Sequence, residues 1–161
     1  MTTLLSRHFE GATRAVVDAP APEVFAALTD VERLPAWNAH IPRVIEAPGG
    51  PLAEGVEWVV QIRVLGATWH SRARVSLYDP AACRFEHVSQ SDDGNPSWAD
   101  WRWHVTPLPD GRSEVSVAWA LNPRTFWRRL LFVKIRRSQL DDEVPTSLDA
   151  LARTVASQAT R

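Results

Sequence analysis

The chain has one cysteine in 161 residues, Cys83, so no internal disulfide can form. That suits a reducing compartment, and a cytoplasmic location is the expectation. No apolar run approaches the ~18–20 residues that cross a bilayer, and Met1 to Arg7 holds no signal-peptide apolar stretch. Neither sign of charge is in excess: 18 Lys and Arg stand against 19 Asp and Glu, a net charge of −1. That leaves no electrostatic footprint for nucleic acid. Motifs that carry chemistry are also missing. There is no glycine-rich phosphate loop, no Gly-x-Ser-x-Gly elbow and no His-Glu-x-x-His. The five histidines, His8, His40, His70, His87 and His104, lack metal-ligand spacing, and a lone Cys makes a poor zinc site. No metal and no cofactor are expected.

What is present is ordinary in bulk and unusual in one residue. Hydrophobic residues make up 45% and charged residues 23%, which fits one globular domain over residues 1–161. Tryptophan is the outlier, with eight indoles against a single Tyr. They stand at Trp37, Trp58, Trp69, Trp98, Trp101, Trp103, Trp119 and Trp127, mostly in segments that alternate like strands. Indoles fill cores, because each buries a large area. Indoles also wall cavities, since each offers a flat apolar face and one N–H donor. A compact core of this size rarely needs eight, so a cavity wall is the reading of the group.

Phe9 to Val17 reads as a strand. Ala21 would cap a short helix, with Pro22 and Glu23 in its first turn and Val24, Phe25 and Leu28 on one apolar face. Asp30 is a good N-cap for a second short helix, which Pro35 ends or distorts. Val44 and Ile45 lie in a short strand, and residues 48–55 form a loop rich in Pro and Gly. Strands then follow without an intervening helix. The inward sets predicted from period-2 alternation are Trp58, Val60, Ile62 and Val64; Trp69, Ser71, Ala73, Val75 and Leu77; Cys83, Phe85, His87 and Ser89; Ala99, Trp101, Trp103 and Val105; and Val115, Val117, Trp119 and Leu121. Asp79-Pro80 marks a turn and Asp110-Gly111 a hairpin. From Thr125 the period becomes helical. Phe126, Leu130, Val133, Leu140, Val144, Leu148, Leu151 and Val155 fall in one stripe, on a helix of roughly 50 Å if counted to Ser157, with a kink from Pro145 near Asp141.

This order, together with Asp18-Ala-Pro-Ala-Pro-Glu-Val-Phe25, Leu28-Thr-Asp30, Leu34-Pro-Ala-Trp37, Gly55, Asp79-Pro80 and Asp110-Gly111, resembles the START-related (SRPBCC) superfamily. The polyketide cyclase/dehydrase-like proteins are the branch it looks most similar to, over residues from about 8 to 157. The resemblance implies an α+β helix-grip fold. A curved antiparallel sheet of six to seven strands would wrap a long C-terminal helix, with two short helices after the first strand. It also implies a deep cavity between the sheet and that helix, in a family of ligand carriers, aromatase/cyclases and lipid-transfer proteins.

The residues expected to meet a ligand are Trp58, Ser71, Phe85, His87, Ser89, Trp101, Trp103, Trp119 and Arg137. His87 is the sole histidine with inward parity, and an ordinary imidazole could act as acid or base near neutrality. His70 and His104 alternate with the apolar sets and face solvent. Arg137 sits within the apolar helix stripe, where an unpaired guanidinium is costly. It would pair with a carboxylate such as Asp141, meet a carbonyl or acidic group of a ligand, or reach the cavity mouth. Residues 124–137 hold six basic and no acidic residues, interleaved with apolar ones. Burial on two sides, a homodimer contact, or docking on an anionic membrane would each use such a surface. The function expected is binding of a small hydrophobic molecule, aromatic or polyketide-like, in the cavity. The alternatives are an aromatase/cyclase acting on a poly-ketone, with His87 as base and Ser89 and Arg137 polarising carbonyls, and a lipid-binding protein docking through residues 124–136.

Overall fold

The computed structural model describes residues 9–124 and 133–159, the side chains of 133–137 and 159 excepted. Seven strands form one antiparallel sheet: β1 (Glu10–Val17), β2 (Arg43–Glu46), β3 (Glu57–Val64), β4 (Ala67–Asp79), β5 (Arg84–Ser91), β6 (Trp98–Pro107) and β7 (Ser113–Asn122), in the order β1-β7-β6-β5-β4-β3-β2. From β3 to β7 each strand pairs with the next in sequence, so four hairpins build most of the sheet. The connection from β1 runs through the short helices α1 (Ala21–Thr29) and α2 (Leu34–Trp37) to the far edge of the sheet. The long helix α3 (Val133–Ala159) closes the open side.

Local chemistry explains the short helices, with three small departures from expectation. Helix α1 starts one residue earlier than Ala21 as a cap implies. Pro20 is the N-cap, and its carbonyl accepts from Glu23 N (3.0 Å) and Val24 N (3.1 Å). Ala21, Val24, Phe25 and Leu28 are its buried face. Asp30 does stand at the next N-cap, but it opens a 3-10 turn (Val31–Arg33) and its side chain makes no capping bond. Pro35 does not end the following helix. It sits in the first turn of α2, where a missing N–H costs nothing.

The inward sets match the strand alternation at all but one place. In β4 the register with β5 shifts between Val75 and Leu77, so Val75 pairs with His87 while Leu77 pairs with Glu86. This bulge spends one extra residue on β4 and reverses the parity beyond it. Tyr78 therefore takes the inward place opposite Phe85 that alternation gave to Leu77, and stacks on Phe25 at 5.8 Å.

Helix α3 packs against β1, α1 and α2. Its buried stripe is Leu140, Val144, Ser147, Leu148, Leu151 and Val155, with Pro145 inside the same helix. The stripe residues Phe126 and Leu130 lie outside the described residues, as does the side chain of Val133. Held at β1 and on the short helices, α3 leaves room between itself and the middle strands. No helix among the described residues is long and apolar enough to cross a membrane.

Candidate ligand cavity

The room under α3 is a cavity of about 370 Å³. Its origin is visible in the cross-strand register. Ala73 of β4, Ser89 of β5 and Ala99 of β6 are direct neighbours in one inward row, so three adjacent strands place small side chains side by side. The rows beside it are large. One runs Val75, His87, Trp101, Trp119, and the next Tyr78, Phe85, Trp103, Val117. A hollow forms where the small row meets these aromatic rows.

The aromatic wall is continuous. Trp58 lies 6.2 Å from Phe85 and 5.4 Å from His87 between ring centroids, and Phe85 lies 5.2 Å from His87. His87 stacks on Trp101 at 6.1 Å, and Trp101 on Trp103 at 6.2 Å, each pair within 13° of parallel. Trp37 of α2 meets Trp103 edge-on at 6.4 Å. From the other side Leu140, Val144 and Ser147 of α3 complete the enclosure, with Leu28 of α1 and Ile41.

Of the residues expected to meet a ligand, Trp58, Ser71, Phe85, His87, Ser89, Trp101 and Trp103 are brought together on this cavity. Trp119 is not. It faces inward and is buried, but its ring leans over Gly11, its partner on β1, and so lies behind Trp101. A Cβ at Gly11 would collide with that indole, so only glycine leaves the ring its place. The side chain of Arg137 lies outside the described residues, as do residues 125–132 of the basic segment.

The polar groups in the wall are spoken for in ways that set their chemistry. Ser71 Oγ donates to the Gln90 carbonyl at 3.4 Å, and Ser89 Oγ accepts from Trp101 Nε1 at 3.0 Å. His87 Nε2 is 3.3 Å from Trp103 Nε1. An indole N–H can only donate, so Nε2 accepts and the imidazole proton resides on Nδ1. Nδ1 is buried, with no hydrogen-bond partner among the described residues. His87 keeps some surface towards the cavity, yet neither nitrogen is open to it. Burial among aromatic rings, which disfavours the charged form, pushes its pKa down to about 3. The imidazole is thus neutral near neutrality and serves as one more flat ring. Cys83, buried just before β5, has its thiol pushed up, first by burial and then by Asp79. It is a weak nucleophile.

Alternation missed the contribution of an irregular loop. Asn38, His40 and Ile41, between α2 and β2, line the cavity opposite Glu143 of α3. His70 and His104 are exposed, as their parity implies. Among the described residues no group of three or more His, Cys, Asp or Glu could hold a metal ion.

The architecture has clear relatives. The Zhui aromatase/cyclase from a Streptomyces species superposes with a TM-score of 0.74 at 16% identity, covering 93% of this chain and 94% of that one. A START superfamily protein from Mycobacterium smegmatis gives 0.71 at 17% identity, covering 93% and 99%. The di-domain ARO/CYC BexL from the BE-7585A biosynthetic pathway gives 0.70 at 21% identity. Here the match covers 91% of this chain but only 46% of BexL, so the chain spans about half of that protein. Likeness at these identities concerns the fold. No curated protein matches the chain in sequence. The family model described as polyketide cyclase / dehydrase and lipid transport matches residues 8–156, nearly the whole chain, and the protein belongs to that family.

Proposed function

We propose that this protein binds a small, planar hydrophobic molecule, aromatic or polyketide-like, in the cavity under α3. The observation that carries the reading is the wall of near-parallel rings Trp101, Trp103 and His87, flanked by Trp58 and Phe85, beside a row of small side chains. Flat apolar faces in a hollow favour flat apolar guests by burial and offset stacking. The neutral imidazole strengthens this reading, since a charged ring would be a costly neighbour for an apolar ligand.

The cyclase alternative needs a base that can reach an acidic C–H. His87 supports it poorly, with Nε2 engaged by Trp103 and Nδ1 buried. The fold relatives that are aromatase/cyclases support a polyketide-like guest more than they support turnover at His87.

Planar polycyclic compounds are expected to quench the intrinsic tryptophan fluorescence saturably. Ala99→Phe puts a ring into the hollow from the small-residue row and should weaken that binding by roughly tenfold or more, about 1.4 kcal/mol of lost contact. Quenching that is linear in ligand, or unchanged by Ala99→Phe, would remove the reading.

A further inference from the structure

Two ionisable side chains that the ring wall does not use meet at the cavity. His40 reaches it from the loop between α2 and β2, and Glu143 reaches it from α3. The backbone of His40 is fixed: its carbonyl accepts from Arg63 N at 2.9 Å, and its own N–H donates to Asn38 Oδ1 at 3.1 Å. Its Nδ1 lies 3.2 Å from the Arg63 carbonyl oxygen and 3.5 Å from Glu143 Oε1. Both neighbours are acceptors, so Nδ1 must carry the proton it shares between them. A neutral ring then has an unprotonated Nε2, and that nitrogen makes no hydrogen bond among the described residues. His87 offers no such atom, because its Nε2 is already engaged by Trp103.

We infer that His40, oriented by Glu143, is a hydrogen-bond acceptor for a hydroxyl on the bound ligand, and that the cavity selects planar aromatic alcohols, phenols above all, over the corresponding hydrocarbons. This rests on the binding function proposed above and adds its polar end. A phenol O–H donates to an imidazole nitrogen, while its ring keeps the aromatic wall. Glu143 is a positioning residue here: it holds the ring's tautomer and angle without touching the ligand.

The test compares two probes of nearly equal shape, 2-naphthol and 2-methylnaphthalene, by equilibrium dialysis in buffer alkaline of the ordinary imidazole range. The quantity read is the ratio of the two affinities, which cancels the shared burial. Wild type should prefer the naphthol, and in His40→Phe that preference should fall roughly three- to tenfold, the worth of one hydrogen bond. Glu143→Leu should lower it part of the way. Glu143→Gln should keep it, because an amide oxygen accepts the same proton. A preference unchanged by His40→Phe, in a variant that still binds both probes, overturns the assignment and leaves the binding function standing. Should His40→Phe lose both probes, the Glu143 variants decide: a drop with Leu and none with Gln supports the assignment, and equal preference in both overturns it. If neither probe binds wild type, the binding function falls and this inference with it.

Discussion

Acidification is expected to destabilise this protein through His87, and His87→Phe is expected to remove that part of the loss. The folded imidazole titrates at about 3 and an exposed one at its ordinary 6.5. Between these values the unfolded chain holds a proton that the folded chain refuses, so stability falls as pH falls. Above 6.5 both states are neutral and the effect vanishes; below 3 both are charged and the loss is complete. Each pH unit inside the window costs up to ~1.4 kcal/mol, or about 2 kcal/mol on going from neutrality to about pH 5. Other groups titrate in the same window, so the informative quantity is the difference between wild type and His87→Phe. Removing the acceptor of the Trp103 indole lowers the variant's stability by about 1 kcal/mol at every pH, without changing its slope. Urea denaturation curves near pH 7 and pH 5 measure this. Parallel acid losses in the two proteins would mean that His87 is not held neutral by burial.

The second large effect concerns the grip of α3. Leu148 has 0% of its surface exposed, and with Leu140, Leu151 and Val155 it forms the buried stripe of that helix. Leu148→Ala should destabilise by about 2–5 kcal/mol, the transfer of the lost methyl groups plus the void they leave. Arg153→Ala, at an exposed position of the same helix, should stay within about 0.5 kcal/mol of wild type. Thermal or urea unfolding compares them. Near-equal stabilities would mean that α3 is not packed on the sheet as described.

Much of this architecture is legible in the sequence, and the physical reason is period. Strands buried on one face must alternate, so Trp58, Phe85, Trp101 and Trp103 could be assigned to one side before any pairing was known. The hollow itself was half legible. Ala73, Ser89 and Ala99 read as inward and small, but only the register shows that they are neighbours across three strands. Three features escaped for three reasons. The bulge near Ser76 changes parity with no Gly or Pro to announce it, so alternation gives Leu77 the place that Tyr78 holds. Trp119 has the right parity but stops short of the cavity, because a glycine on a strand over 100 residues earlier gives its ring somewhere else to lie. His40 comes from a loop without periodicity. Its partner Glu143 precedes the buried Val144 on α3, and nothing local marks the pair. His87 shows a different limit: alternation predicts where a side chain points but not its charge state, which here follows from the rings packed around it.

The most direct test of the central claim is a ¹H–¹⁵N NMR titration that follows the tryptophan indole N–H signals while a planar polycyclic ligand is added. The account predicts saturable shifts for Trp101 and Trp103, whose rings face the cavity, with one common dissociation constant and with a much smaller response from Trp119, which lies behind them against Gly11. Indole signals that stay in place for Trp101 and Trp103 while others move, or shifts that never saturate, would contradict it.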